Sequence, residues 1–369
     1  MGDCITTRLV GALTADLPKK GEMVINVVSA SQITGVAISG GNENDITVTS
    51  SKAISVSGFD NPGTSFTFKN YRSLTLPDGK YTLKISPKYG IAQLYLRGGN
   101  ALTMVSKSDL AWVTGTLSVN AVPSVTGNSF AFMKGALATN ISCLQNGIKD
   151  TLENFAAYHH DISTLTTLTA YNNTITGSLD DFISQATALK SIWITGGVTG
   201  QLSNVRKNFT VLKLIESQVT GSLEDIGDIT TLTGLSLFGS RLITGSLEDL
   251  EDLTNLTEIS LGYNSNISGS LSDLATLTNL ASLSLTTMAN VSGTLSSLST
   301  MTALTTLSIS NLSVTGAVED LLDGMVTNGR TSGTLTISSL PSGCTYNGAA
   351  FSGSKKFDFS GSGWAEHTN

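Results

Sequence analysis

Seven glycines, Gly177, Gly200, Gly221, Gly245, Gly269, Gly293 and Gly316, follow one another at intervals of 23, 21, 24, 24, 24 and 23 residues. The same frame recurs around each. In the clearest copy, Leu253, Leu256, Ile259, Leu261, Asn264, Ile267, Gly269, Leu271 and Leu274 follow the order L-x2-L-x2-L-x-L-x2-N-x2-L-x-G-x-L-x2-L. The next copy uses Leu277, Leu280, Leu283, Leu285, Met288, Val291, Gly293, Leu295 and Leu298. Earlier copies include Leu165, Leu168, Ala170, Asn173, Ile175, Gly177 and Leu179, and then Leu232, Leu235, Leu237, Ser240, Ile243, Gly245 and Leu247. A period of this length means that each copy is one supersecondary unit, stacked on its neighbours.

The L-x-L pair alternates with period two, so it reads as a short strand with both leucines pointing inward. Successive strands stack as a parallel sheet at about 4.8 Å per repeat, so seven repeats make a sheet about 30 Å long. Burying six to eight aliphatic side chains per repeat is worth on the order of 10–20 kcal/mol. Ordering about 22 residues costs at least as much. A lone repeat therefore cannot fold, and stacking decides stability. The glycine permits a turn or a close approach that a side chain would obstruct. The turn asparagine can satisfy backbone groups of neighbouring loops.

This frame resembles the leucine-rich repeat, L-x-x-L-x-L-x-x-N/C-x-L. The resemblance covers about residues 160 to 330 and implies a repeat solenoid with one parallel β-sheet face. The "TGSL" and "SGSL" segments look like the L-x-G-x-[IL]-P element of plant-type repeats, without its proline. The cysteine-bearing N-terminal cap common in plant receptors of this type is not found, so a bacterial or bacteriophage origin is expected.

The fold class expected is a repeat solenoid, a leucine-rich-repeat parallel β-sheet array with an N-terminal antiparallel β domain. In residues 1–90, "EMVINVVSA", "DITVTSSKAISVSG", "TSFTFKN" and "KYTLKIS" are β-type runs. The turn segments "GGNEND", "DNPG" and "PDGK" separate them, which points to a small antiparallel domain, a sandwich or an anchor. Residues 91–160, with "IAQLYLRGGNALT" and "VTGTLSV", are read as degenerate repeats or an N-terminal cap. Residues 161–330 are the repeats. In 331–369, "SGTLTISSLPSGCTYNGAAFSG" suggests a closing strand pair and cap, ahead of the polar tail "SGSGWAEHTN".

Charged residues make up only 13% of the chain, about half of the roughly 25% usual in soluble domains. Ser, Thr, Gly and Asn replace them, a mixture common in β-rich proteins that work outside a cytosol. The net charge is −7. Leu214 to Gly329 holds thirteen acids and one base, Arg241, which gives −12 and leaves +5 for the remainder. Such a surface repels phosphate backbones, so no nucleic-acid partner is expected. No run of 18 apolar residues exists, and no membrane insertion is expected. The apolar stretch "LVGAL" is too short for a signal-peptide core. "MGDCIT", with Gly2, Thr6 and Cys4, matches an acylation pattern short enough to arise by chance. Cys4, Cys143 and Cys344 form neither a disulfide framework nor a metal pattern and are read as small buried or incidental thiols.

Candidate chemistry is sparse. The polar pairs Asp180/Asp181, Glu224/Asp225, Glu248/Asp249 and Glu319/Asp320 recur after the glycine frame. Ser203/Asn204, Ser272/Asp273 and Ser296/Ser297 hold the equivalent places. These residue types cap helix N-termini or favour the first turn. A feature that repeats belongs to the framework, whereas catalysis needs one site, so calcium binding and glycoside hydrolysis are the weaker readings. "AYHHDIS" (Tyr158, His159, His160, Asp161) reads as a polar cap segment, since adjacent strand histidines point apart. No nucleophile elbow, P-loop or H-E-x-x-H is found. No catalytic, cofactor or metal residue is assigned, and the chain is not expected to be an enzyme. The N-x-S/T sequons, among them Asn208, Asn255, Asn266, Asn290 and Asn311, follow from the Asn, Ser and Thr content.

Function is sought at the outward strand positions of the inner sheet, the usual recognition surface of solenoids. Tyr171, Trp193, Ile215 and Phe238 are expected to be exposed there beside Lys213 and Glu216, with Tyr263 adjacent. The later strands carry Ser, Thr and Gly. Exposed aromatics on a rigid sheet suggest a contact surface for a protein or glycan. The other reading is that the N-terminal domain covers them. The expected function is a non-enzymatic structural and binding protein of a phage virion, a tail or head-fibre component touching a bacterial surface. The alternative is a bacterial cell-surface adhesin. Partners are then a protein or glycan of that surface or neighbouring virion proteins, within a homo-oligomer or a larger assembly.

Overall fold

The computed structural model describes residues 23–29, 33–39, 45–87, 91–97, 102–106, 113–120 and 129–367. Gly2, Cys4, Thr6, the "LVGAL" stretch and most of "GGNEND" lie outside the described residues. The chain divides into two compact units, Met1–Thr176 with Ser184–Leu189, and Gly177–Ile183 with Lys190–Asn369.

The first unit starts as two antiparallel ladders. One pairs Met23–Ser29 with Gly79–Pro87 and Leu102–Ser106. The other pairs Ile33–Ser39 with Tyr71–Leu76 and Ile91–Arg97. The long strand Ile46–Val56 serves both. Its first half pairs with Gly63–Phe68 and Gly79–Pro87, and Ser55 and Val56 pair with Tyr71–Leu76. Its alternation buries Ile46, Val48, Ile54 and Val56, and Leu74, Leu83, Ile85 and Leu94 are also fully buried. These residues form the apolar core of this part of the chain. At Ile91–Arg97 the pairing changes sense. This strand lies antiparallel to Ile33–Ser39 and parallel to Val113–Asn120. Val113–Asn120 then pairs in parallel with Asn140–Ser142, and that strand with Thr167–Ala170.

Asparagines stitch these first turns together, as the repeat frame implies. Asn173 Oδ1 accepts from the amides of Asn146 (3.2 Å) and Ile148 (3.0 Å), and its Nδ2 donates to Cys143 C=O. The helix Leu152–Tyr158 begins at a carboxylate clamp. Asp150 accepts from Ser129 Oγ (2.6 Å), Phe130 N (2.8 Å), Thr151 N (2.8 Å) and Asn154 Nδ2 (2.6 Å). Burial would raise its pKa, but these four donors outweigh it and hold the carboxyl below the usual range.

His159 is a buried structural residue. Its Nε2 bonds Ala138 C=O at 2.9 Å, and its Nδ1 accepts from Asp161 N at 3.2 Å, which defines a neutral imidazole with the proton on Nε2. Burial pushes its pKa down, against the opposing pull of the Ala138 carbonyl and Asp161. The unfolded chain therefore takes up a proton as pH falls below about 6.5 while the folded chain resists it, so stability drops in that window. The thermal midpoint is expected to fall between about pH 7 and about pH 5, and His159→Gln is expected to flatten that slope. An identical slope in the variant would remove His159 from this role.

In the second unit each turn supplies two strands. The major sheet runs in parallel through Ser191–Thr195, Val211–Ile215, Gly234–Ser236, Glu258–Ser260, Ser282–Thr286, Thr306–Ser310 and Thr334–Ser339. The minor sheet runs through Val198–Gln201, Gln218–Ser222, Ile243–Ser246, Ile267–Ser270, Val291–Thr294, Ser313–Ala317 and Gly343–Tyr346. The frame leucines, isoleucines and valines between them are buried in every turn from Leu202 to Ile309, all of them fully except Val205. Side-chain ladders along the stack satisfy loop carbonyls. Thr233 and Thr257 donate to Thr210 and Thr233 C=O (3.0 and 2.9 Å). Asn255, Asn266 and Asn290 donate through Nδ2 to Thr230, Arg241 and Ser265 C=O (2.8, 3.1 and 2.9 Å). Three of the sequon asparagines thus serve as rungs of these ladders. Cys143 and Cys344 are buried free thiols. The "SGSGWAEHTN" segment, read from sequence as a tail, forms the strand Gly363–Glu366, antiparallel to Lys355–Ser360. Trp364 Nε1 donates to Asp323 Oδ1 at 2.7 Å, and its ring stands edge-on to buried Phe357.

Candidate functional site

The acidic positions resolve into a local device. Ser222, Ser246 and Ser270 are N-caps of 3-10 turns, and Asp225, Asp249 and Asp273 accept from the cap amides at 2.8 Å. These are capping boxes, in which two orphan donors are satisfied reciprocally. The cap itself is the serine, and the aspartate sits three residues on. The preceding glycine is part of the same device. Gly221, Gly245 and Gly269 have φ of +127°, +112° and +126°, and an added Cβ would meet the capping carboxylate oxygen at 2.7, 2.8 and 2.9 Å. The carboxylates Glu224, Asp228, Glu248, Glu251 and Asp252 border a cleft of about 560 Å³ between two such turns, and Lys207 pairs with Asp228. No cluster of three or more His, Cys, Asp or Glu able to hold a metal ion occurs among the described residues.

The major sheet of the second unit presents three outward columns. The first is Ser191, Val211, Gly234, Glu258, Ser282 and Thr306, and the second is Trp193, Lys213, Ser236, Ser260, Ser284 and Ser308. The third continues beyond the strands through backbone bonds, from Ile215 to Phe238 (Glu216 N to Phe238 O, 2.8 Å) and on to Gly262 (Gly239 N to Gly262 O, 2.8 Å). Trp193, Ile215, Phe238 and Tyr263 therefore occupy neighbouring register positions on one face, with Glu216 at its border. Trp193, Ile215 and Phe238 are half-buried, whereas Tyr263 is 43% exposed. Phe238 and Tyr263 meet edge to face at 5.1 Å. Tyr171 belongs to the first unit, where it is half-buried and its carbonyl accepts from Gln145 N at 3.1 Å.

Lys213 departs from the expectation of exposure, for it is only 8% exposed. Its ammonium lies 4.6 Å from the centroid of the Trp193 ring and 2.6 Å from Glu258 Oε2, two strands away. The cation–π contact and the ion pair together offset the burial of the charge. Glu258, the first residue of its strand, thus completes the face.

The turn after the third column carries a second unforeseen feature. Glu216, Gly239, Tyr263, Thr287 and Asn311 all adopt left-handed backbone, with φ between +54° and +74°. Glycine and asparagine accept this readily, but Glu216 and Tyr263 bear roughly 1–2 kcal/mol of strain. Both lie at the border of the aromatic face.

The stacked L-x-L strands, the glycine turns and the capped 3-10 turns define a leucine-rich-repeat solenoid. No protein-family model and no curated protein matches the chain. Solved structures to which it is similar include the plant peptide hormone receptor RGFR1 in complex with RGF2, at 20% identity and a TM-score of 0.40 over 63% of this chain and 42% of that one. A second is PEPR1 with AtPEP1, at 18% identity and a TM-score of 0.42 over 70% and 39%. A third is internalin C2 from Listeria monocytogenes, at 17% identity and a TM-score of 0.34 over 50% and 82%. The chain spans less than half the length of the RGFR1 and PEPR1 chains.

Proposed function

We propose that this chain is a non-enzymatic binding protein that contacts another protein through the Trp193–Tyr263 face of its repeat array. The observation that carries this reading is local. Trp193, Ile215, Phe238 and Tyr263 gather on adjoining turns, whereas the following turns of the same sheet present Ser282, Ser284, Thr286, Thr306, Ser308 and Ser310. Aromatic and aliphatic side chains clustered on a rigid sheet have the composition of a binding hot spot. Val211 and Ile215 offer no hydrogen bonds to sugar hydroxyls, and Lys213 engages the Trp193 ring, which favours a protein over a glycan. A photo-crosslinking residue in place of Ser260 should capture a partner protein. Trp193→Ala and Phe238→Ala should each cut that capture on the order of tenfold with the fold retained. Equal capture by both variants, or capture of glycan alone, overturns the proposal.

The setting proposed is a virus particle, as a tail or head-fibre component within a larger assembly that touches a bacterial surface. The second reading is a bacterial cell-surface adhesin. The low charge content and the abundance of Ser, Thr, Gly and Asn support an extracellular place of work in either case. Mass spectrometry of purified particles and of host envelope fractions separates the two. Recovery from envelopes with absence from particles rejects the virion.

A further inference from the structure

We infer that Gly234 and Gly262 are positioning residues of the contact face, each holding a side chain of the preceding turn flat across the sheet. This rests on the reading of that face as the binding surface. Neither glycine has the left-handed backbone that would demand one, unlike Gly221 or Gly245. Gly234 lies within a strand and Gly262 just beyond one, and a glycine in such a run marks a place where another group approaches closely. At Gly234 that group is Lys213, whose Cε would lie 3.4 Å from an added Cβ, an ordinary contact, so the space beneath Lys213 on its way to Glu258 is closed only to a side chain larger than alanine. At Gly262 it is Phe238, whose ring carbons would lie 2.7 and 2.8 Å from a Cβ, with Thr286 Cβ at 3.2 Å.

The two side chains lean the same way along the stack. Lys213 passes over Gly234 to Glu258, and Phe238 passes over Gly262 to meet Tyr263. The result is a prearranged platform rather than a row of free side chains, which lowers the entropy lost on binding. The Lys213–Glu258 pair also cancels its own charge within an array that is otherwise strongly acidic. The chemistry this selects is an apolar patch on a partner protein.

Double-mutant cycles test the positioning without any partner. Gly262→Ala is expected to lower the thermal midpoint in the otherwise unchanged chain and to have little effect in a Phe238→Ala background, because the ring that opposes the new methyl is gone. Gly234→Val is expected to behave likewise with Lys213→Ala. Equal effects in both backgrounds overturn the inference. The photo-crosslinking assay then separates the two readings, since Gly262→Ala should reduce capture of partner protein on the order of tenfold. If Trp193→Ala reduces capture and Gly262→Ala does not, the face stands and the positioning role falls. If neither reduces it, the contact-face reading has failed and takes the inference with it.

Discussion

Leu261→Asp is expected to unfold the second unit as a block. Leu261 is fully buried, and its amide donates to Ser284 C=O on the next turn at 3.0 Å. Losing its burial removes about 1.5–3 kcal/mol, and the uncompensated carboxylate adds several kcal/mol more. A total on the order of 5 kcal/mol or above is comparable with the whole stability of an ordinary domain. Because each turn is stable only through its neighbours, the loss cannot stay local. Ser284→Asp, one turn on but facing outward on a half-exposed column, is expected to shift stability by no more than about 0.5 kcal/mol. Thermal unfolding followed by circular dichroism distinguishes the two, and an unchanged transition in Leu261→Asp would sink the description of the core as a set of interlocking turns.

The contrast between those two positions shows what the sequence makes legible. Period two within a strand and a period near 24 between strands separate Leu261 from Ser284 without any structure. They also place Trp193, Ile215 and Phe238 on one side of one sheet. The burial of Lys213 was not legible, because it depends on Glu258, 45 residues away, and on the Trp193 ring of the preceding turn. Nothing local to Lys213 announces either partner. Glu216 follows Ile215 and Tyr263 follows Gly262 like any turn residue, and their left-handed backbone belongs to the closure of each turn. The strand Ile46–Val56 reads as one alternating run, yet its two halves join different ladders. A choice of partner strand is a tertiary fact that alternation alone does not encode. The acids behaved differently. Serine followed three residues later by aspartate is a local signature, so their structural role was readable, although the cap itself proved to be the serine.

Gly245→Ala is expected to be strongly destabilising for a change of one carbon. The new Cβ would stand 2.8 Å from each of Leu223 N, Ser222 Oγ and Asp249 Oδ2, at a φ of +112°. Two of these are cap atoms, Ser222 of the preceding turn and Asp249 of its own turn. Backbone strain contributes about 1–3 kcal/mol, and a disturbed cap about 1 kcal/mol more for each turn affected. Gly197→Ala provides the control, for its Cβ meets nothing within 4 Å and its φ is not left-handed. It should change stability by no more than about 0.5 kcal/mol. The clash and the cap can also be told apart. Asp249→Ala alone should be destabilising through the lost bond to Ser246 N. In the Gly245→Ala background the same change should cost less, because it removes one of the atoms the methyl strikes. Coupling of that sign in a double-mutant cycle would show that glycine, serine and aspartate act as one unit. Simple additivity would mean that the glycine serves the backbone turn alone.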